Sequence, residues 1–116
     1  MNVENTIVQM RKGIIEFCVL QIISRGEVYT SDLIKELTEA HMVVVEGTLY
    51  PLLTRLKNMG LLEYKWVESN AGPPRKYYML TEKGREILVP LADTWNDIVN
   101  STAKIIAKTS AQTTIN

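Results

Sequence analysis

The chain has 116 residues, enough for one ordinary domain and too few for two. Its 13 basic and 13 acidic side chains cancel, and 46% apolar with 22% charged residues is the composition of a soluble globular protein. These proportions exclude a disordered tail, a collagen-like repeat and a polybasic arm.

Residues 4–24 read as a first helix. Ile7, Met10, Ile14, Ile15, Phe17, Cys18 and Ile22 recur at helical spacing, and Arg25-Gly26 supplies a cation and a stop. The longest apolar tract, residues 14–23, is interrupted by Glu16 and Gln21 and falls short of the ~18–20 residues that span a bilayer. Glu4 precedes any cationic group and no small-residue cleavage site follows an apolar core, so no signal peptide is read and the expected location is cytoplasmic. Cys18 is the single cysteine, which excludes an intrachain disulfide and a Cys-based zinc site; a buried, inert thiol is expected.

A second helix begins at Tyr29-Thr30-Ser31-Asp32, where hydroxyl and carboxylate groups offer caps, and fades at Ala40-His41. Leu33, Ile34 and Leu37 share one of its faces. In the connector Met42-Val43-Val44-Val45-Glu46-Gly47, the β-branched run allows a short strand. The third helix follows from Thr48. Pro51 lacks an amide hydrogen, so it suits the first turn and sets the start near Gly47-Thr48. Gly60 supplies a left-handed cap at the other end.

Leu62, Tyr64 and Trp66 then alternate with Glu63, Lys65 and Val67, a period-two strand. Ser69-Asn70-Ala71-Gly72-Pro73-Pro74 is turn chemistry, and Arg75-Lys76-Tyr77-Tyr78-Met79-Leu80 is a second strand, giving a hairpin with a proline-bearing tip. Thr81 caps a last helix. There Leu88, Leu91, Trp95, Ile98 and Ile105, with Thr102 in the stripe, keep a three-four spacing that suits a helix-pairing seam. Pro90 predicts a kink there or two consecutive helices, and the polar tail from Lys108 is expected to fray.

This order predicts an α+β, mostly helical fold without repeat or linker. Residues 1–84 would form a winged helix-turn-helix of three helices and a two-stranded hairpin. Residues 85–116 would add a C-terminal dimerisation helix within the same compact unit.

Charge is unevenly spread. Residues 45–85 carry seven basic side chains (Arg55, Lys57, Lys65, Arg75, Lys76, Lys83, Arg85) against four acidic ones (Glu46, Glu63, Glu68, Glu82). Screening acts over ~8–10 Å, so this local excess is what matters for phosphate binding. At ~100° per residue, Leu49, Leu52, Leu53, Leu56 and Met59 of the third helix face the core. Tyr50, Pro51, Thr54, Lys57 and Asn58 fall opposite, with Thr48 and Arg55 on the flanks. Such a polar, mildly basic face suits the major groove, where hydroxyls and amides meet base edges and cations meet phosphates. Arg75 and Lys76, expected at the hairpin tip, would reach phosphate or a narrow minor groove. Helix face and wing together point to DNA.

Gly47-Thr48-Leu49-Tyr50-Pro51-Leu52-Leu53-Thr54-Arg55-Leu56, Gly60-Leu61-Leu62 and Gly72-Pro73-Pro74-Arg75-Lys76-Tyr77-Tyr78-Met79-Leu80-Thr81-Glu82-Lys83-Gly84 resemble the PadR family of bacterial transcriptional regulators. The similarity is close over residues 47–84 and looser over residues 11–37; with one helix after the wing, the chain is similar to the shorter PadR subfamily. The resemblance implies a dimeric repressor that binds double-stranded operator DNA and releases it on binding a small molecule. It implies DNA contacts from Thr48 and Tyr50 at the start of the recognition helix and from Arg75 and Lys76 at the wing. Tyr78 and Leu80 match packing positions. Arg55 is left between phosphate contact and pairing with an acidic neighbour such as Glu63. Similarity to short PadR regulators also makes Trp95 a candidate wall for a planar or aromatic effector between subunits, with Phe17 and Gln21 as further lining; packing in the dimer seam is its other reading. Apolar surface on the first and last helices, including Ile7, Ile14 and Phe17, independently predicts an isologous homodimer.

Two other functional classes compete with this reading. His41, the one histidine, has no metal-ligand partner at suitable spacing, the six glycines form no phosphate loop, and no Ser or Thr has an evident base. No catalysis, metal or cofactor is expected. A winged-helix module that binds protein rather than DNA, through aromatics such as Tyr50 and Trp66, is the remaining alternative; its binding would be insensitive to salt.

Overall fold

The computed structural model of the chain describes residues 2–42 and 44–115, with side chains through residue 109. Helix α1 spans Val3–Ser24, strand β1 Val28–Tyr29, α2 Thr30–Glu39 and α3 Glu46–Asn58. Strands β2, Leu62–Ser69, and β3, Gly72–Leu80, follow, and α4 covers Glu82–Ile115. This is a mostly helical α+β winged helix-turn-helix carrying a C-terminal helix.

The sheet has three strands rather than the expected two, in the antiparallel order β1-β3-β2. Val28 and Tyr29 pair with Tyr78 and Tyr77. A two-residue strand has no periodicity to read and exists only because β3 lies beside it. β1 also displaces the expected cap of α2: Tyr29 is the N-cap and makes no side-chain capping bond, while Thr30 is buried. No strand forms at Met42, Val44 or Val45; Val43 lies outside the described residues. Instead, α2 ends with the amides of His41 and Met42 donating to the carbonyls of Thr38 and Leu37, His41 taking a left-handed φ of 60°. Val44 is buried and anchors the turn into α3.

Leu20, Ile23, Leu33, Leu37, Leu49 and Leu53 are the heart of the core, closed on one side by Leu62, Tyr78 and Leu80 of the sheet. Leu49, Leu52, Leu53 and Leu56 face it as the periodicity requires. Met59, expected among them, is 48% exposed because the helix has ended: it is the C-cap, and Gly60 turns the chain away at φ 80°. The amides of Gly60 and Leu61 donate to the carbonyls of Lys57 and Leu56, a Schellman close.

Thr81 ties three elements together. Its hydroxyl donates to the carbonyl of Gly60 at 2.6 Å and accepts from the amide of Gly84 at 3.0 Å, and its own amide donates to Leu61 at 3.0 Å. The end of α3, the end of β3 and the start of α4 therefore meet at one residue. From there α4 runs through Pro90 to Ile115 as one helix, so of the two outcomes expected at Pro90, a kink or two consecutive helices, the second does not occur, and its backbone stays helical beyond Lys108, where fraying was expected. Side chains past residue 109 lie outside the described residues.

A helix of 34 residues is ~51 Å long, more than the domain can cover. Gly84 and Leu88 are buried, but every described side chain from Asp93 to Thr109 is exposed. The projecting helix stretches the molecule to 64 × 29 × 22 Å, with a radius of gyration of 17.7 Å where ~13 Å suits a compact chain of this size.

Candidate nucleic-acid interface

Helix α3 starts one to two residues earlier than the sequence suggests, at Glu46, so Pro51 sits in the second turn rather than the first. Its ring lacks the amide that would bond the carbonyl of Gly47. Glu46 offsets the positive end of the helix, and Val45, the N-cap, offers no side-chain bond to the leading amides. Thr48, Tyr50, Thr54, Lys57 and Asn58 are all exposed. Tyr50, Thr54 and Asn58 line a shallow groove with Pro51, Arg55 and Met59, so three of the expected base-facing side chains share one surface. Arg55 does not pair with Glu63. It makes an ion pair with Glu16, which ties the flank of α3 to α1 beside a cleft of about 490 Å³ lined by Ile7, Val8, Ile15 and Leu52.

The wing differs from expectation in a way that matters for its charges. The turn is Asn70-Ala71, and Gly72, Pro73 and Pro74 already belong to β3, with Ser69 opposite Gly72. Arg75 and Lys76 therefore stand on the strand, behind the tip, opposite Val67 and Trp66. Because neighbours on a strand point to opposite faces, the two cations separate. Arg75 is on the outer face, its guanidinium 4.9 Å from the ring of Tyr29, which in turn packs on Tyr77. On the same face Lys65 reaches Glu27 at 2.6 Å. Lys76 is on the inner face beside Tyr64, Trp66 and Tyr78.

Residues 19–89 match the family described as Transcriptional regulator PadR-like. The chain belongs to that family. A PadR-like transcription factor from Bacteroides fragilis is 51% identical, with a TM-score of 0.74 over 87% of this chain and 98% of its own. A PadR-like regulator from Bacillus cereus is 38% identical, TM-score 0.75, covering 84% of this chain and 96% of the other. A PadR family regulator from Eggerthella lenta is 30% identical, TM-score 0.79, covering 90% and 91%. Family membership makes the chain a DNA-binding transcriptional regulator and not an enzyme. No described helix is long and apolar enough to cross a membrane.

In this PadR-like protein the candidate effector residues have different surroundings. Trp95 is 37% exposed on the projecting part of α4. Phe17 is half-buried against the core, and Gln21 lines a separate groove with Cys18, Arg25, Glu36 and Met42. Cys18 is half-buried, and loss of hydration pushes its thiol above the usual range. The inner wing face was not singled out from the sequence. The signal was present: once Tyr64 stands opposite Tyr78, period two puts Tyr64, Trp66, Lys76 and Tyr78 on one side.

Proposed function

We propose that the chain acts as a homodimeric repressor, with α3 entering the major groove and the β2–β3 hairpin lying beside it on the duplex. The observation that carries this reading is the exposed apolar surface left on a protein whose polar helix faces outward. Val3, Ile7, Val8 and Met10 of α1 and Val89, Leu91, Ile98, Val99, Ile105 and Ile106 of α4 are all exposed. Patches of this extent mark association surfaces. A two-fold partner covering α1 and α4 would bury them and present two α3 helices to one face of the duplex, where half-sites lie ~34 Å apart. Thr48, Tyr50, Thr54 and Asn58 would meet bases or their flanking backbone, and Lys57, Arg75 and Lys76 phosphates. Repression then needs no further domain, because a dimer seated on a promoter excludes polymerase by occupancy.

Effector control belongs to the same dimer. The indole of Trp95 is available at the apolar stripe where two α4 helices would meet, which supports a flat ligand stacking there, with Phe17 or Gln21 reached from the partner side. Fluorescence anisotropy of labelled duplexes from the promoter next to the protein's own gene, at several salt concentrations, tests the reading together with sedimentation at matched concentrations. Tight, salt-steep binding by a dimer is expected. Salt-insensitive binding of a protein partner, with no preference for any duplex, would replace DNA with protein as the target. Quenching of Trp95 by a planar ligand that also shifts DNA affinity tests the effector part.

A further inference from the structure

Trp66 is 63% exposed although it stands on the inner, core-facing side of the sheet. Its register partner is Lys76, whose ammonium lies 4.0 Å from the ring centre of Tyr64, 5.3 Å from Tyr78 and 5.8 Å from Trp66. Lys57, from the last turn of α3, approaches the same Tyr64 ring at 5.3 Å. One aromatic ring thus joins a cation of the recognition helix to a cation of the wing, and an exposed indole, edge-on to Tyr64 at 6.4 Å, closes the row. Among the described residues, ion pairs engage Arg25, Arg55 and Lys65 and leave both of these ammonium groups without a carboxylate. A lysine held against aromatic faces has already given up rotamer freedom, so less remains to be lost when an anion arrives.

The position of this row decides what it fits. A duplex runs one sugar-phosphate strand between its major groove and the adjacent minor groove. A protein with a helix in the first and a hairpin over the second must cross that strand at the saddle between them. Lys57, Tyr64, Lys76 and Trp66 occupy that saddle. We propose that it is a seat for the DNA backbone: Lys57 and Lys76 neutralise phosphate, and the indole of Trp66 lies against the neighbouring deoxyribose. Base reading stays with Tyr50, Thr54 and Asn58, and the saddle fixes register and affinity without sequence content. The inference rests on the DNA-binding reading and divides the work within it.

The test uses the full chain, a duplex that it selects from a random-sequence library, and a scrambled duplex of equal length. Trp66→Ala is expected to weaken binding to both about tenfold, as loss of a half-buried indole contact implies, and to leave the salt slope unchanged. Trp66→Phe keeps most of the affinity. Lys76→Gln makes the slope of log affinity against log salt shallower by about two, one for each protomer of the dimer. Tryptophan emission of the wild type changes in step with anisotropy, and the change disappears in Trp66→Phe, where Trp95 is the remaining indole. Circular dichroism checks that each variant is folded. A Trp66→Ala loss confined to the selected duplex would overturn the proposal, because the indole would then read bases. Wild-type affinity in Trp66→Ala with unmoved wild-type emission would also overturn it while leaving DNA binding intact. If no duplex is selected or bound, the DNA reading itself fails.

Discussion

Replacing Gly84 with alanine tests the joint from which α4 springs. A methyl group there would collide with the carbonyl oxygen of Leu61 and lie 2.8 and 2.9 Å from Cδ1 and Cγ of Leu80. The leucine side chain can yield by rotating, at a cost because it is packed in the core. The carbonyl cannot, because it accepts the amide of Thr81 at 3.0 Å. Alanine gains ~1 kcal/mol of helix propensity over glycine. Against that stand overpacking, ~2 kcal/mol, and a strained hydrogen bond, ~1 kcal/mol. The net loss is about 2 kcal/mol, or a fall in Tm of ~10 °C for a domain of this size. Gly13→Ala is the control: that site is exposed within α1 and an added methyl meets nothing within 4 Å, so it should gain ~0.5–1 kcal/mol. Guanidinium and thermal unfolding at one fixed protomer concentration read both variants, since association would otherwise shift the midpoint. A Gly84→Ala protein as stable as the wild type would refute the packing argument.

Arg75 and Lys76 face opposite sides of the wing and share no contact, so their alanine variants should weaken DNA binding additively on a logarithmic scale, each lowering the salt slope of a bound dimer by about two, one per protomer; anisotropy of the double variant checks this. Glu16→Gln removes the partner of a half-exposed Arg55, so unfolding should show a loss of only ~0.2–1 kcal/mol, while the freed guanidinium beside α3 raises affinity for DNA of any sequence. Cys18 should react with a thiol-specific alkylating reagent more slowly than an unfolded chain at the same pH, because burial raises its pKa. The protonated thiol's share of stability is then complete below the unfolded pKa and is lost as pH rises through the higher folded one, so denaturation midpoints should fall across that window.

The helices were legible because burying them needs a one-sided apolar stripe, and such a stripe is local. Leu49, Leu52, Leu53 and Leu56 disclose the face of α3, and Gly60 and Thr81 disclose its stop and the next start. What was not legible is non-local. β1 is held by pairing with a strand about fifty residues away along the chain, and Arg55 finds Glu16 on α1 rather than the nearby Glu63. The wing departs from its sequence pattern for a different reason. Proline and glycine in Gly72-Pro73-Pro74 signal a turn, yet two prolines are tolerated near the end of a hairpin, so the turn moves back to Asn70-Ala71 and the cations move off the tip. Pro90 likewise left a kink and a break open from sequence; a helix that loses one hydrogen bond out of many continues when its first turns are packed on a domain.

The arrangement around Thr81 gives a mechanical reason for joining the proposed reading helix α3 to the proposed pairing helix α4 in so small a protein. The hydroxyl of Thr81 and the ammonium of Lys83, at 3.0 Å from the carbonyl of Met59, both attach the first residues of α4 to the last residues of α3. Arg85 adds a bond to the carbonyl of Ser24 at the end of α1. A rotation of α4 about this joint must therefore move α3 with it or break these bonds. In the proposed dimer, where two copies would pair through α4, the angle between their helices would set the distance between their two α3 helices. A ligand that changes that angle by a few degrees acts at the end of a lever: over the ~26 Å from Asp93 to Thr109, five degrees displaces the far end by ~2 Å. Half-site spacing on DNA is fixed by the helical repeat, so a mismatch of a few ångströms costs contacts on one half-site. An effector at the α4 seam would accordingly act on DNA affinity without touching α3. Thr81→Val, which removes both hydroxyl bonds, should loosen this coupling, leaving effector binding intact while weakening its effect on DNA affinity.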